Sequence, residues 1–551
     1  MTVGADQGSR AAKMAQLLAL EVVETIAADN GVCLNSIPMR VIDTRSSAVE
    51  LVSLPCGAVL ESKCPPCAKR ARALRAVQCR EGWHLDQEPV RDPQEATEDQ
   101  RRLVQVRAEW EVWRAEAAAV GAPVADLDAV IAVLDEEIRA SGLRGDVRGP
   151  AVSAVKRRRS TRRRQDAPDL PRRVRRDATV GRTYTSADGK AFRPSMFITL
   201  TLPSYGRVRD GAPVDPGSYD YGRAARDALH FSKLVDRFVQ NLRRVAGFEV
   251  QYFATVEPQK RLAPHLHMAV RGTVSRADLR AVVAATYHQV WWPRADEVRF
   301  GGERLPVWVR DEDRGDGGVY ADPSTGEVLT SWGEALSALD ADETAVPSHV
   351  ARFGSQMDMQ GVLAGTPDAD QRIRYLAKYL TKSLGGGIGP EDGGRAAHAA
   401  RLVEALRYEP CSPGCANWLR YGVQPKGAKE GMVPGRCRGK AHRPEHLGYG
   451  GRRVLVSRRW SNKSLSEHRR ERRAWVLEVL GLAGEDGGDG GRREPGRYIW
   501  RPVPVGDPDL PGRRVRLLRE VARAQRWRAH LAELLARARE VDVPPELQKP
   551  K

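Results

Sequence analysis

EVQYFATVEPQKRLAPHLHMAV, residues 249–270, decides how the middle of this chain is read. Two runs of alternating character flank a Pro-containing turn at 258–264, the pattern of an antiparallel strand pair. Strand side chains alternate between faces, so His265 and His267 share one face while Leu266 and Met268 point into the opposite layer. Glu257 ends the first strand, where it can project beside the histidines. Two imidazoles and a carboxylate make a facial ligand set with open positions, suited to a divalent ion that also grips a substrate oxygen. The competing reading is a pair of partly exposed, hydrogen-bonded histidines without metal, because His-x-His with an apolar middle is a weak signal alone.

Working outward, residues 196–202 (MFITLTL) alternate in the same way, with Ile198, Leu200 and Leu202 on one face and Thr199 and Thr201 on the other. Helical periodicity follows at 223–246, and again at 276–292, RADLRAVVAATYHQVWW. Residues 301–348, rich in Gly, Asp and Pro, read as an insertion or lid. The segment 368–384 (DADQRIRYLAKYLTKSL) reads as a helix stopped by the glycines after it. Strand, helix, hairpin and helix in this order predict an α+β fold with a central antiparallel sheet and flanking helices. On the last helix Tyr375 and Tyr379 stand at i and i+4, stacked a turn apart, and Lys378 and Lys382 repeat that spacing beside them. Aromatics so spaced usually line a core, but a core face is not normally flanked by a lysine at each turn, and buried tyrosine hydroxyls need partners. A tyrosine beside cations is what attack on a phosphodiester needs, since a free phenol titrates near about pH 10 and positive charge favours the phenolate.

The 551 residues carry 89 Lys and Arg against 71 acidic residues, a net charge of +18, which attracts polyanions and puts nucleic acid first among partners. No run approaches the roughly 18 apolar residues of a membrane span, and the first 31 residues lack the order of a secretion signal, so a cytoplasmic location without membrane contact is expected. Eight cysteines in that compartment read as zinc ligands or buried thiols. Cys411-x3-Cys415 and Cys437-x4-His442 have structural zinc spacing, with His446 competing for the fourth place. Cys33, Cys56, Cys64 and Cys67 form a second zinc candidate, leaving Cys79 over. The domain reading is a Cys-rich region at 1–95, helices at 96–150, a basic arm at 151–182, and the histidine and tyrosine motifs at 183–400. A second zinc region at 401–475 and a linker with a basic helix at 476–551 complete it. The arm, with VKRRRSTRRRQDAPDLPRRVRR at 155–176, reads as a contact to DNA phosphates.

FITLTLPSYG, PHLHMAV and YLAKYLTKS, in that order, resemble the three motifs of rolling-circle replication initiators of the HUH (His-hydrophobe-His) endonuclease superfamily. The resemblance extends to initiators of actinobacterial plasmids and integrative elements (RepSA-like), through PCSPGCANWLRYGVQPK and RRVLVSRRWSNKSL, over most of residues 30–475. It implies that 183–400 is an HUH nuclease domain in which His265 and His267 bind Mg²⁺ or Mn²⁺ and Glu257 takes the third ligand's place. Tyr379 matches the nucleophile, Lys382 its neighbouring cation, and Tyr375 an extra residue one turn earlier that single-tyrosine relatives replace by a carboxylate. The implied activity is site-specific nicking and joining of one strand of a plasmid origin through a 5′-phosphotyrosine link, with double- and single-stranded DNA as partners. No G-x-x-x-x-G-K-[ST] motif is present, so a host helicase is expected to open the duplex. A relaxase or transposase of the same superfamily, or a non-catalytic zinc-containing DNA-binding regulator, are the alternatives. The regulator would leave His265, His267, Tyr375 and Tyr379 without a purpose.

Overall fold

The computed structural model describes residues 19–85, 88, 96–141, 167–176, 178–180, 184–185, 189, 191–310, 317–378, 380, 393–479, 498–504 and 506–540. The chain divides into two compact units, residues 1–88 with 164–551, and residues 89–163. The smaller unit pairs the helices Glu98–Ala119 and Ala125–Ala140. A Thr97–Gln100 capping box starts the first helix, and buried Arg107 donates to Asp135 at 2.9 Å between them.

In the larger unit the main sheet runs, edge to edge, Met357–Ala364, Ala191–Leu200, Pro264–Val270, Tyr252–Pro258 and Val454–Val456, with the short Tyr184–Thr185 strand beside Ala191–Leu200. Every ladder between its strands is antiparallel, and Pro264–Val270 lies at the centre. The architecture is therefore mixed α/β with antiparallel pairing. Register follows the alternation of the sequence: Thr199 and Thr255 flank His267, Glu257 stands opposite His265, and Leu200 and Val256 flank Leu266.

The Tyr221–Ala246 helix covers one face. Its N-terminus is capped by the Asp220 side chain, which accepts from the Arg223 amide, and it stops at Gly247 in the left-handed region. Phe231, Leu234, Phe238 and Leu242 pack with Ile198, Leu200, Leu266 and Met268 into the principal core. The other face has a smaller core of Phe197, Phe253 and Ala269 under Trp83, Trp460, Ile373 and Leu376, contributed largely by the helices Pro65–Trp83 and Pro367–Lys378. Gly82 is required there: a Cβ would lie 2.2 Å from Cδ1 of Trp460.

The expected helix over 276–292 is two elements. It ends at Ala285, where Thr286 turns extended and donates its hydroxyl to the Val282 carbonyl at 2.6 Å. The aromatic and β-branched residues beyond it form the strand Tyr287–Val290 and pair with His349–Arg352. The segment 301–348 carries a hairpin, Val307–Val309 with Val319–Ala321, and the helix Trp332–Ala341. Of the basic arm, Arg173 and Arg175 pair with Asp278 and Glu249 at 2.8 and 3.0 Å; residues 151–166 lie outside the described residues. At the N-terminal side, Ile37–Asp43 is the middle strand of a second sheet, between Val49–Leu54 and Tyr498–Pro502. Among the described residues no helix is long and apolar enough to cross a membrane.

Candidate functional site

His265, His267 and Glu257 come together on the face covered by the Pro367–Lys378 helix, with one donor atom of each within 4.8 Å of the others. The two Nε2 atoms are 2.7 Å apart, and His267 Nε2 is 3.7 Å from Glu257 Oε2. The remaining ring nitrogens are engaged: His265 Nδ1 donates to the Glu257 carbonyl at 3.0 Å, and His267 Nδ1 lies 2.9 Å from Thr199 Oγ1. Such partners orient an imidazole so that its Nε2 lone pair faces the site. Burial sets the electrostatics. It pushes His265 down to about 4 and, with the neighbouring His265, His267 down to about 3, so both rings are neutral, the ligating form. It pushes Glu257 up to about 8, against the pull of Thr255, Arg453 and Lys378. Two neutral nitrogen donors and a desolvated carboxyl gathered in one place fit a divalent cation, whose charge would hold the carboxylate ionised.

Tyr375 is the described tyrosine that reaches this group. Ala369, Ile373 and Leu376 bury one side of its helix in the smaller core, and Asp370 accepts from Arg80 of the Pro65–Trp83 helix at 3.0 Å. With the helix so held, the Tyr375 hydroxyl is 3.2 Å from His267 Nε2, and its ring meets His267 edge-on at 5.0 Å. Tyr375 is 37% exposed, open to a substrate. Tyr379 and Lys382 lie outside the described residues. Sequence reading did not single out Thr199 as a partner of His267. The signal was present, since the alternation of MFITLTL puts Thr199 on the polar face. Arg453 gave none.

Both cysteine groups are assembled. Cys411, Cys415, Cys437 and His442 form one set, and Cys33, Cys56, Cys64 and Cys67 the other. Tetrahedral Zn–S bonds of about 2.3 Å place sulfurs about 3.8 Å apart. Cys56 and Cys67 are 3.8 Å apart, Cys33 and Cys64 also 3.8 Å, and Cys411 and Cys437 4.0 Å. His442 Nε2 is 3.5 Å from Cys415 Sγ, and its Nδ1 donates to the Leu406 carbonyl at 3.0 Å. His442, not His446, thus completes the set. Hydrogen bonds from Cys411, Cys415 and His442 hold the Cys437 thiol well below the ordinary range, and burial apart from both sets pushes Cys79 upward. A further group, Glu81, His468 and Glu471, is served by its own cation: Lys463 Nζ is 2.7 Å from Glu471 and 3.9 Å from Glu81.

The antiparallel sheet thus gathers two neutral imidazoles and a carboxyl beneath a tyrosine-bearing helix, a donor set that a cation would fit. The family model for the RepSA replication initiator protein of pSAM2 matches residues 19–538, and the chain belongs to that family of replication initiators. It is also similar to a replication initiator protein of Streptomyces ambofaciens, 26% identical over 223 residues, or 34% of this chain. The match spans 42% of that relative's length. No solved structure matches the chain.

Proposed function

We propose that this chain is a metal-dependent, site-specific DNA nicking and joining enzyme of the HUH type that initiates rolling-circle replication of a plasmid in the cytoplasm. The observation that carries the reading is the approach of Tyr375 to His267 at 3.2 Å, within a family of replication initiators. His265, His267 and Glu257 would hold Mg²⁺ or Mn²⁺, which polarises a scissile phosphate and stabilises the leaving 3′ oxygen. Thr199 and the Glu257 carbonyl keep the two rings turned toward the phosphate. A tyrosine of the 375–379 pair attacks phosphorus: the phenol oxygen forms the P–O bond as it gives up its proton, the bond to the 3′ oxygen breaks, and that oxygen takes up a proton to leave as a free 3′ hydroxyl. The phosphodiester energy is kept in the 5′-phosphotyrosine, so the reverse attack by a 3′ hydroxyl reseals the strand without ATP. Tyr379 takes the first cut by resemblance, with Lys382 favouring its phenolate, and Tyr375 the second, which releases the finished circle. Zn²⁺ in the two cysteine groups would be structural, because four protein ligands leave no open position. Double-stranded DNA is bound, single-stranded origin DNA is cut, and a host helicase unwinds.

The test is nicking of a supercoiled origin plasmid with Mn²⁺, followed by mass spectrometry of the DNA-linked peptide. Tyr379→Phe should lose the first nick and the adduct; Tyr375→Phe should still nick, but accumulate longer-than-unit strands. Label on Tyr375 together with normal nicking by Tyr379→Phe would reverse the roles, and DNA on neither tyrosine would sink the mechanism.

A further inference from the structure

The first cysteine group and the Arg513–Glu540 helix belong to one piece of structure, although they lie in distant parts of the sequence. Tyr498–Pro502 pairs along Ile37–Asp43, with Trp500 opposite Val41 and Ile499 opposite Ile42. The helix that follows buries Leu517 and Val521 against Val23 and Ala27 of the Leu20–Asp29 helix. Two of its arginines grip the loop that carries Cys33: Arg528 reaches the carbonyl of Asn30 and its side-chain oxygen, the latter at 3.2 Å, and Arg513 the carbonyl of Leu34 at 3.2 Å. The long helix is thereby held in a set orientation on the Cys33–Cys56–Cys64–Cys67 group.

What this leaves outward is patterned. Diametrically opposite Leu517 and Val521, at i, i+4, i+7 and i+11, stand Arg519, Arg523, Arg526 and His530. Arg523 and Arg526 are exposed, and among the described residues none of the three arginines enters an ion pair. A cleft of about 450 Å³ runs beside the stripe, lined by Arg70, Arg523, Trp527, Arg528, Ser53 and, as its acidic member, Glu520. Trp527 is 52% exposed at its edge. The exposed Glu533 follows at i+14, but the three arginines leave the stripe net basic, so it repels the same stripe on another copy, which disfavours a symmetric dimer contact and favours a polyanion. A helix backed by a small scaffold, with basic side chains along its free face, has the width and chemistry to enter a major groove and meet phosphates on either side.

We infer that this composite of residues 19–83 and 498–540 is the element with which the chain binds duplex DNA, through Arg519, Arg523 and Arg526. The inference rests on the initiator reading for its substrate class, but its test does not depend on cleavage. The full-length protein is titrated, without divalent ion, into a labelled 30-base-pair duplex of mixed sequence at several salt concentrations. R519A/R523A/R526A should bind at least about 100-fold more weakly at 0.1 M salt, with a log–log salt slope shallower by about 2 to 3, as each lost phosphate contact removes about 0.9. The control R469A/R472A/R473A, in the exposed part of the Leu465–Val479 helix, removes the same charge and should change affinity a few-fold at most. R519K/R523K/R526K should keep its slope within about one unit of the parent. Equal losses in the two alanine triples, parental affinity in the first, or loss of slope in the lysine triple would each overturn the inference. So would a shift in sedimentation of the DNA-free protein caused by the first triple, which would make the stripe a subunit contact. If the parent fails to nick yet the first triple alone loses duplex binding, the nicking reading falls and this inference stands.

Discussion

On one face of the central strand Leu266, Met268 and Val270 are sealed beneath the Tyr221–Ala246 helix; on the other, one residue out of step, His265 and His267 meet Glu257, Thr199 and Tyr375. Leu266 is fully buried and His267 only 5% exposed, while His265 is partly buried and Tyr375 opens the site's edge to solvent. The difference lies in what burial does to each. For the leucine, removal from water is the stabilising contribution. For the histidines and Glu257 it disfavours charge, leaving neutral donors poised around a place that a cation would suit. The shared ladder keeps both sets in register, so a stable core on one side holds the donors still on the other.

That contrast breaks most visibly if His267 is truncated. His267→Ala should cost about 10³-fold or more in Mn²⁺-dependent plasmid nicking, the several kcal/mol that an ion contributes at a scissile phosphate. Its urea midpoint should stay at or above the parent's, since a buried polar group is removed. Unchanged nicking would remove the ion from the proposed chemistry. Leu266→Ala, the neighbouring residue on the other face, should do the reverse. It should destabilise the fold by about 2–5 kcal/mol in urea titrations while the folded fraction still nicks. If nicking vanished at full folding, the faces would not be separable. The third effect is smaller and depends on pH. With Glu257 raised to about 8 and the imidazoles lowered to about 4 and 3, the ion-free site near neutrality holds a proton on the carboxyl and none on the second nitrogen of either ring. A cation must displace that single proton, so Mn²⁺ affinity, measured by calorimetry, should rise about tenfold per pH unit from 6 to 8 and level off above. A flat profile over that range would mean that Glu257 is not a ligand.

Much of this comparison was legible in residues 196–202 and 249–270, because alternation assigns each side chain to a face without knowledge of neighbours. The helix Pro367–Lys378 was legible for a similar reason, its apolar and aromatic residues recurring at helical spacing, although it ends short of the expected 384: Leu380 lies in a bend, and 379 and 381–384 lie outside the described residues. What escaped was non-local. Val454–Val456 is three residues long amid arginines, and it becomes a strand only because Tyr252–Pro258 offers an open edge. The run TYHQV after Ala285 continues a helical period, yet its β-branched and aromatic residues find a partner in His349–Arg352. The choice between His442 and His446 is a matter of reach, and His446 is buried elsewhere. Nothing near Ile37–Asp43 announces that its second neighbour is Tyr498–Pro502.

That last pairing has a consequence in time. Val41 leaves the ribosome about 460 residues before Trp500, its cross-strand partner, which at about 5–20 residues per second is a wait of some tens of seconds. Until then the 37–43 strand has a bare edge and the Leu20–Asp29 helix lacks its apolar cover. A nascent or prematurely ended chain therefore lacks the finished scaffold and the arginine helix together, even where its sheet and histidines are already in place. Synthesis order leaves residues 498–540 to complete a scaffold begun about 460 residues earlier.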